Sequence, residues 1–313
     1  MSSGAALVTG GAGFIGSHVV DALLADGRAV VVIDDLSSGR EGNLSEQAEL
    51  ERLDITDKAA LDAVVDRARP AAIFHLAAQS SVTVSVNDPA RDCAVNVQGT
   101  LNVLEAAYRH RAPVVFSSTG GALYGNDAPL PTSEERIPAP LAPYGASKWA
   151  GEAYVGTWGR SGGLPHAVCR LGNVYGPRQS PHGEAGVVAI FTHRLRSGSA
   201  PTLYGFGRPT RDYVHVDDVV RALLAASGTA GTFNVSTGIE TPVRDVFDTL
   251  QRVAGTELEP ELAPLRSGEL ERSCMDPARA WQVLAWQAEI ELADGFESTF
   301  RALVAEFEAV AGH

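Results

Sequence analysis

The segment LVTGGAGFIG, Leu7 to Gly16, sets glycines at 10, 11, 13 and 16 between an apolar run and an amphipathic one. Both Gly11-x-Gly13-x-x-Gly16 and Gly10-x-x-Gly13-x-x-Gly16 fit a turn that leads from a strand into a helix. Without side chains in the way, the backbone N–H groups at such a helix start can approach a pyrophosphate. Asp34 closes the next apolar run, eighteen residues beyond Gly16. A carboxylate there accepts hydrogen bonds from a ribose diol and repels a 2′-phosphate. The spacing therefore predicts a dinucleotide site that favours NAD over NADP.

The first half repeats this alternation. AALVTG, AVVVID, AAIFHLAA and PVVFSS read as strands; GSHVVDALLADG, KAALDAVVDRAR and NVQGTLNVLEAAYRHR read as helices. Apolar runs without polar alternation mark strands buried on both faces. The expected fold is α/β, a doubly wound parallel Rossmann sheet with a smaller C-terminal substrate lobe. After Leu171 the pattern loosens, with Pro and Gly crowding NVYGPRQSPHGEAG and GSAPTLYGFGRPTRDY. The helix DDVVRALLAA, the strand TFNVST and a helix near the C-terminus follow. The division expected is 1–171 plus about 213–237 for the cofactor domain, and about 172–212 plus 238–313 for the lobe.

Charge and composition narrow the partners. The net charge of −13 argues against a general nucleic-acid binder, which needs a basic surface. No apolar run reaches the ~18 residues of a membrane span. MSSGAALVTGG has neither a basic n-region nor a signal h-region, so a soluble, cytoplasmic protein is expected. Cys93, Cys169 and Cys274 are widely spaced, as expected of reduced, mostly buried thiols, and the eight histidines have no HxH or HExxH spacing; no metal is expected.

The chemistry is carried by PYGASKWAGE. Tyr144 and Lys148 lie four apart and share one helix face. Upstream, FSSTGG should deliver Ser117, Ser118 and Thr119 at the C-terminal end of a buried strand, where sites in such sheets form. An ammonium beside a phenol lowers its pKa, which would make Tyr144 a usable base.

On these motifs, with DDLSSG (34–39), LDITD (53–57), FHLAAQ (74–79), NVQGT (96–100), SSTGGALYG (117–125), NVYGPRQ (173–179), PHGEAGVVAIF (181–191), RDYVHVDD (211–218) and RSGE (266–269), the chain resembles the extended short-chain dehydrogenase/reductases. Within them it is similar to the UDP-glucose (UDP-galactose) 4-epimerases over nearly its full length. The resemblance implies tightly held, recycled NAD, a UDP-sugar substrate, and a homodimer joined through the helices after Cys93 and after Tyr144. It implies Tyr144 as base, Lys148 as its partner and a nicotinamide-ribose ligand, and Thr119 with Ser118 at the sugar oxygen. Cofactor contacts fall on Gly10, Gly13, Phe14, Ile15 and Gly16, on Asp34, Asp35 and Ser38, on Asp54 and Ile55, and on Leu76, Ala77, Ala78 and Gln79. Asn96, Ser117, Leu171 and Val174 complete that set. Nucleotide-sugar contacts fall on Asn173, Arg211, Tyr213 and Arg266, with Val187, Val188, Thr202 and Tyr204. Glu269 stands where an aspartate commonly holds the uridine ribose.

Related chemistries are disfavoured. Sugar 4,6-dehydratases carry an Asp-Glu pair after the threonine; Gly120, Gly121 and Ala122 follow Thr119 here, so no proton donor is supplied. Glucuronate decarboxylases also need an added acid there. Ser273, by spacing, is the residue beside the sugar's 2-substituent, and its small size suggests that N-acetylated sugars also fit. Ser180 stands where glucuronate 4-epimerases often have an extra arginine, which weakens that alternative. The loop SSVTVSV lacks the basic residue often found near the cofactor, a role Gln79 and the serines could take by hydrogen bonding. A non-catalytic NAD- or nucleotide-sugar-binding protein is the alternative of another class, and the full Thr119–Tyr144–Lys148 set argues against it.

Overall fold

The computed structural model describes residues 4–181, 186–266 and 269–311. Its centre is a seven-stranded, all-parallel sheet built from β1 (Ala6–Thr9), β2 (Val30–Asp34), β3 (Glu49–Arg52), β4 (Ala72–His75), β5 (Val114–Thr119), β6 (Ala167–Leu171) and β11 (Gly231–Val235). The order across the sheet is β11-β6-β5-β4-β1-β2-β3, the reversal about β1 and β4 that opens a crevice at the strands' C-terminal ends. The edge strand β3, ELER, is half exposed, and its polar residues give it no apolar signal in the sequence.

Successive residues of the central strands feed two separate cores. Val8, Val32 and Phe74 join the helices α1 (Phe14–Ala25) and α8 (Val216–Ala226) on one face. Leu7, Ile33 and Phe116 join α2 (Lys58–Ala68) and α5 (Thr100–Arg109) on the other. Each such side chain, fully removed from water, contributes about 1.5–3 kcal/mol. Between β4 and α5 lie the short helices α3 (Val82–Asn87) and α4 (Pro89–Cys93) and a π-helical turn, Ala94–Gly99, so the single helix expected from Asn96 onward is interrupted. α6 (Pro143–Gly162) follows β5 and ends at Gly163 with φ +60°, a left-handed stop that glycine accepts without strain.

The remaining elements lie outside the seven-stranded sheet. β7 (Asn173–Tyr175) pairs with β10 (Tyr213–His215), β8 (Thr202–Tyr204) with β13 (Glu261–Ala263), and β9 (Thr210–Arg211) with β12 (Thr241–Pro242). α7 (Val187–Arg196), α9 (Val243–Ala254) and α11 (Leu292–Ala311) pack a third core around Phe191, Phe247 and Phe296. α10 (Ala278–Leu284) leads to Trp286, which is buried and donates its indole N–H to the Asp218 carbonyl at 2.9 Å. Among the described residues no helix is long and apolar enough to cross a membrane.

Candidate functional site

All seven strands run the same way, so Gly10, Asp34, Leu76, Thr119 and Leu171 come to one edge of the sheet. Gly10 has φ +70°, and a side chain on it would fall 2.6 Å from the Ala77 nitrogen. A Cβ on Gly16 would meet the Gly10 carbonyl oxygen at 2.1 Å. The loop can turn this tightly only with glycine at both places. Gly13 is the N-cap of α1, with no side-chain cap and no acid in the first turn, which leaves the positive end of the helix clear for phosphate.

Asp34 is buried, and its two carboxylate oxygens accept from Ala12 N and Leu36 N, each at 2.9 Å. Burial raises its pKa, and each oxygen keeps a lone pair that a ribose hydroxyl can use. Asp35 accepts from the Ser37 hydroxyl at 2.7 Å, and Ser38 is exposed beside it. Asp54 caps the turn at Thr56 N, 2.8 Å, while the buried Ile55 packs under Gly99. The glycine cradle, the uncapped helix and the carboxylate fit a dinucleotide.

His75 is internal to its strand. Its Nδ1 lies 2.7 Å from the Thr9 hydroxyl and its Nε2 3.0 Å from that of Thr100. Burial lowers its pKa to about 3, so the ring is neutral, and the bonds fix Leu76, Ala77 and Ala78 against the glycine loop.

Tyr144 opens α6 at the cleft, with the Thr119 side chain next to its phenol. Lys148, one turn on, is 3% exposed, with its Nζ 4.5 Å from the centre of the Phe116 ring. Burial lowers the ammonium to about 8, against the opposing pull of Glu152 and Asp92. The phenol does not move as helix spacing alone predicts. Burial pushes Tyr144 up to about 12, Asp92 adds to this, and the neighbouring Thr119 hydroxyl only partly offsets it. Desolvation of the charged form sets the direction.

Ser118 is placed differently from Ser117 and Thr119. The pleat turns it to the other face of β5, where its hydroxyl donates to Glu152 Oε1 at 2.5 Å. Glu152 in turn is gripped by Arg170, Nη2 to Oε2 at 2.6 Å and Nε to Oε1 at 3.0 Å. The structure thus brings Thr119, not Ser118, to the tyrosine. Glu152 and Arg170 were missed, although Glu152 sits one turn beyond Lys148 and ends PYGASKWAGE; its spacing was the available signal. Arg170, inside an apolar strand, gave none.

Asp92 is a second carboxylate that the sequence reading overlooked. It is 1% exposed and accepts from Gln79 Nε2 at 2.8 Å and Asn96 Nδ2 at 3.0 Å. Asn96 also bonds Ser147 on α6 at 3.1 Å and Gln79 N at 2.9 Å. Gln79 is therefore occupied by Asp92 and by Ser81. The π-helical turn carries Asn96 into this contact, a common use of such turns.

On the lobe side, Arg211 is pinned by Nη1 to the Thr210 carbonyl at 2.8 Å, and burial lowers its pKa. Arg266 stacks on Tyr204, 3.8 Å from the ring centre, and lies 3.7 Å from Glu269. Asn173 reaches toward Gly121, beside Thr119, and Gly120 N bonds the Leu171 carbonyl at 2.8 Å. Tyr213 is buried, and its hydroxyl has no hydrogen-bond partner among the described residues. Ser273 is buried, with its N–H on the Thr210 carbonyl at 3.2 Å. Val188 packs in the lobe core with Val187 at its margin, Val174 accepts from Gln179 at 3.0 Å, and Thr202 donates to Glu261 at 2.9 Å. The middle of the PHGEAG stretch (182–185) and of RSGE (267–268) lies outside the described residues.

The family model described as "NAD dependent epimerase/dehydratase family" matches residues 6–236. A UDP-glucose 4-epimerase of Mycolicibacterium smegmatis is 48% identical over 302 residues, 94% of this chain and 96% of its own. The crystal structure of the Thermotoga maritima UDP-glucose 4-epimerase with UDP-glucose superimposes with a TM-score of 0.95 at 44% identity, covering 96% of this chain and 99% of that one. The Thermus thermophilus UDP-glucose 4-epimerase in complex with NAD gives a TM-score of 0.89 at 42% identity, covering 96% and 98%. The chain belongs to the NAD-dependent epimerase/dehydratase family of extended short-chain dehydrogenase/reductases.

Proposed function

We propose that the protein is a UDP-hexose 4-epimerase, interconverting UDP-glucose and UDP-galactose through a transient 4-keto sugar. The observation that carries this is the placement of Tyr144 next to Thr119 and one helical turn before the buried Lys148, at the end of the sheet that holds the glycine loop. The likeness to UDP-glucose 4-epimerases over most of both chains supports it. NAD⁺, when bound, supplies the acceptor that takes the hydride from carbon 4 of the sugar and returns it. Gly10, Gly13 and Gly16 with the start of α1 would hold its pyrophosphate, Asp34 its adenosine ribose, and Lys148 its nicotinamide ribose.

Tyr144 takes the proton from the sugar 4-hydroxyl and gives it back to the opposite epimer. Thr119 orients the phenol and the sugar oxygen. A phenol near 12 is a poor base at neutral pH, so the step depends on positive charge gathered beside it, from Lys148 and the nicotinamide. Arg211 and Arg266 grip the diphosphate, since guanidinium forks match phosphate oxygens. The hexose is then held only by its far end and can turn over within the pocket. The glycines after Thr119 offer no acid for dehydration.

The small Ser273 supports acceptance of UDP-N-acetylglucosamine as a second substrate. We assign 1–171 plus about 213–237 to the cofactor and about 172–212 plus 238–313 to the nucleotide sugar. We further propose a homodimer through α5 and α6, where Tyr108, Trp149 and Tyr154 present exposed aromatic surface, and a cytoplasmic location, suited to three unpaired cysteines. The first test incubates the purified protein and NAD⁺ with UDP-glucose, UDP-N-acetylglucosamine or UDP-glucuronate and separates the 4-epimers by chromatography. Equilibration of UDP-glucose is expected. Tyr144→Phe should abolish it while NAD stays bound; normal turnover by that variant would refute the assignment of the base.

A further inference from the structure

Beyond Thr119 the chain runs on through Gly120, whose N–H stays bonded to the Leu171 carbonyl at 2.8 Å. Gly120 does not have a positive φ, yet it has no room for a side chain. A Cβ there would fall 1.7 Å from the Met275 sulfur and 2.5 Å from its Cε. The thioether therefore rests on the backbone of the residue that follows the catalytic hydroxyl.

The Met275 backbone is pinned and its side chain is enclosed. It is 1% exposed. Its N–H donates to Asp212 Oδ2 at 3.2 Å, and its carbonyl accepts from the Ser236 hydroxyl at 3.2 Å. Thr132 brackets it, with N–H to the Cys274 carbonyl at 3.0 Å and carbonyl to Asp276 N at 2.9 Å. Asp212, which also accepts from Thr237 N and Oγ1 and Gly238 N, lies between Arg211 and Tyr213. Two residues before Met275, Ser273 is pinned to Thr210. One short segment, 273–276, thus touches the backbone that presents Thr119, neighbours the diphosphate-binding Arg211, and carries the residue beside the sugar.

We infer that Met275 is a positioning residue, its thioether seated on Gly120 so that the Thr119 hydroxyl is held against Tyr144, and that Gly120 and Met275 are matched in volume. This rests on the proposed 4-epimerase reaction. Methionine suits the place because its unbranched chain fills an irregular gap. An extra methyl on Gly120 overpacks the contact, and truncation of Met275 empties it. Either change moves Thr119 without touching the diphosphate grip.

The test is a double-mutant cycle on the cofactor-loaded enzyme: Gly120→Ala, Met275→Ala and the pair together, with kcat and KM for UDP-glucose. Each single change should lower kcat about tenfold or more with KM within about threefold. The pair should recover about tenfold over Gly120→Ala alone, because the smaller residue 275 admits the methyl. In Met275→Ala the alkaline shift of the pH–kcat profile should match a phenol that has lost its Thr119 neighbour, a change that simple destabilisation does not produce. Met275→Leu, close in volume, should keep kcat within about threefold, and it stands in if an alanine variant does not fold. Losses that multiply independently in the pair, single variants with wild-type kcat, or Met275→Leu folded but inactive would overturn the assignment. A wild type that fails to epimerise any UDP-sugar overturns the proposed function and this inference with it; an active wild type with uncoupled variants overturns the inference alone.

Discussion

Replacing Lys148 with Met keeps most of the stem that passes Phe116 and deletes the ammonium. Burial brings that ammonium from 10.5 down to about 8, and at 3% exposure solvent screens little of the penalty. At about 1.4 kcal/mol per pH unit, the gap corresponds to about 3 kcal/mol of folding stability withheld while the lysine is charged. At neutral pH both the folded and the unfolded chain carry the charge, so the folded state bears the whole cost. Above about pH 8 the folded lysine sheds its proton while the unfolded one holds it to 10.5. Wild-type stability therefore rises through that window relative to a chain with nothing to titrate at this site. Lys148→Met should be inactive yet more stable than wild type, by up to about 3 kcal/mol near neutral pH, with the advantage closing as pH rises. Urea unfolding of both proteins, freed of cofactor so that binding linkage does not contribute, would be compared near pH 7 and near pH 10. A difference that stays constant or widens with pH, or a variant less stable at neutral pH, would refute the argument.

Arg170→Met leaves Glu152 as a buried carboxylate without its guanidinium. With side chains only 6% and 7% exposed, the loss should be about 3–5 kcal/mol, and Glu152→Gln added to it should restore much of that, as read by urea unfolding. Gly16→Ala drives a methyl to 2.1 Å from the Gly10 carbonyl; NAD affinity, read by tryptophan quenching or by cofactor retained through gel filtration, should fall at least about tenfold. Ser273→Tyr should suppress turnover of UDP-N-acetylglucosamine while leaving UDP-glucose within a few-fold, checked by comparing kcat/KM for the two sugars.

What the sequence makes legible is set by range. The glycine loop, Asp34 and the Tyr144–Lys148 pair each depend on neighbours within a few residues, or on one βαβ unit, and the structure brings them to one edge of the sheet. β1, β2, β4 and β5 announce themselves by runs of apolar side chains; β6, AVCRL, is short and carries Arg170, and β3, ELER, lies at the sheet's exposed edge, so neither stands out. The interruption at Ala94–Gly99 was also hidden. A π-helical turn changes the register by one residue while keeping a helical composition, so no sequence pattern marks it.

Long-range polar contacts escape for a different reason. Ser118 and Thr119 are adjacent hydroxyls, and motif reading sends both to the substrate. The two-residue period of β5 sends one to each face, and the partner that claims Ser118 is Glu152, 34 residues on. Nothing local could say that the same carboxylate would also need Arg170. The Tyr144 phenol repeats the point: helix spacing supplies the neighbouring charge and so predicts a lowered pKa, whereas burial, which depends on the whole fold, sets the sign. In the proposed reaction, a half-buried phenol displaced to about 12 becomes a base only as positive charge arrives beside it. The phenol beside Thr119 is accordingly protonated at neutral pH, and under the proposed function the charge that readies it comes from Lys148 and the oxidised nicotinamide.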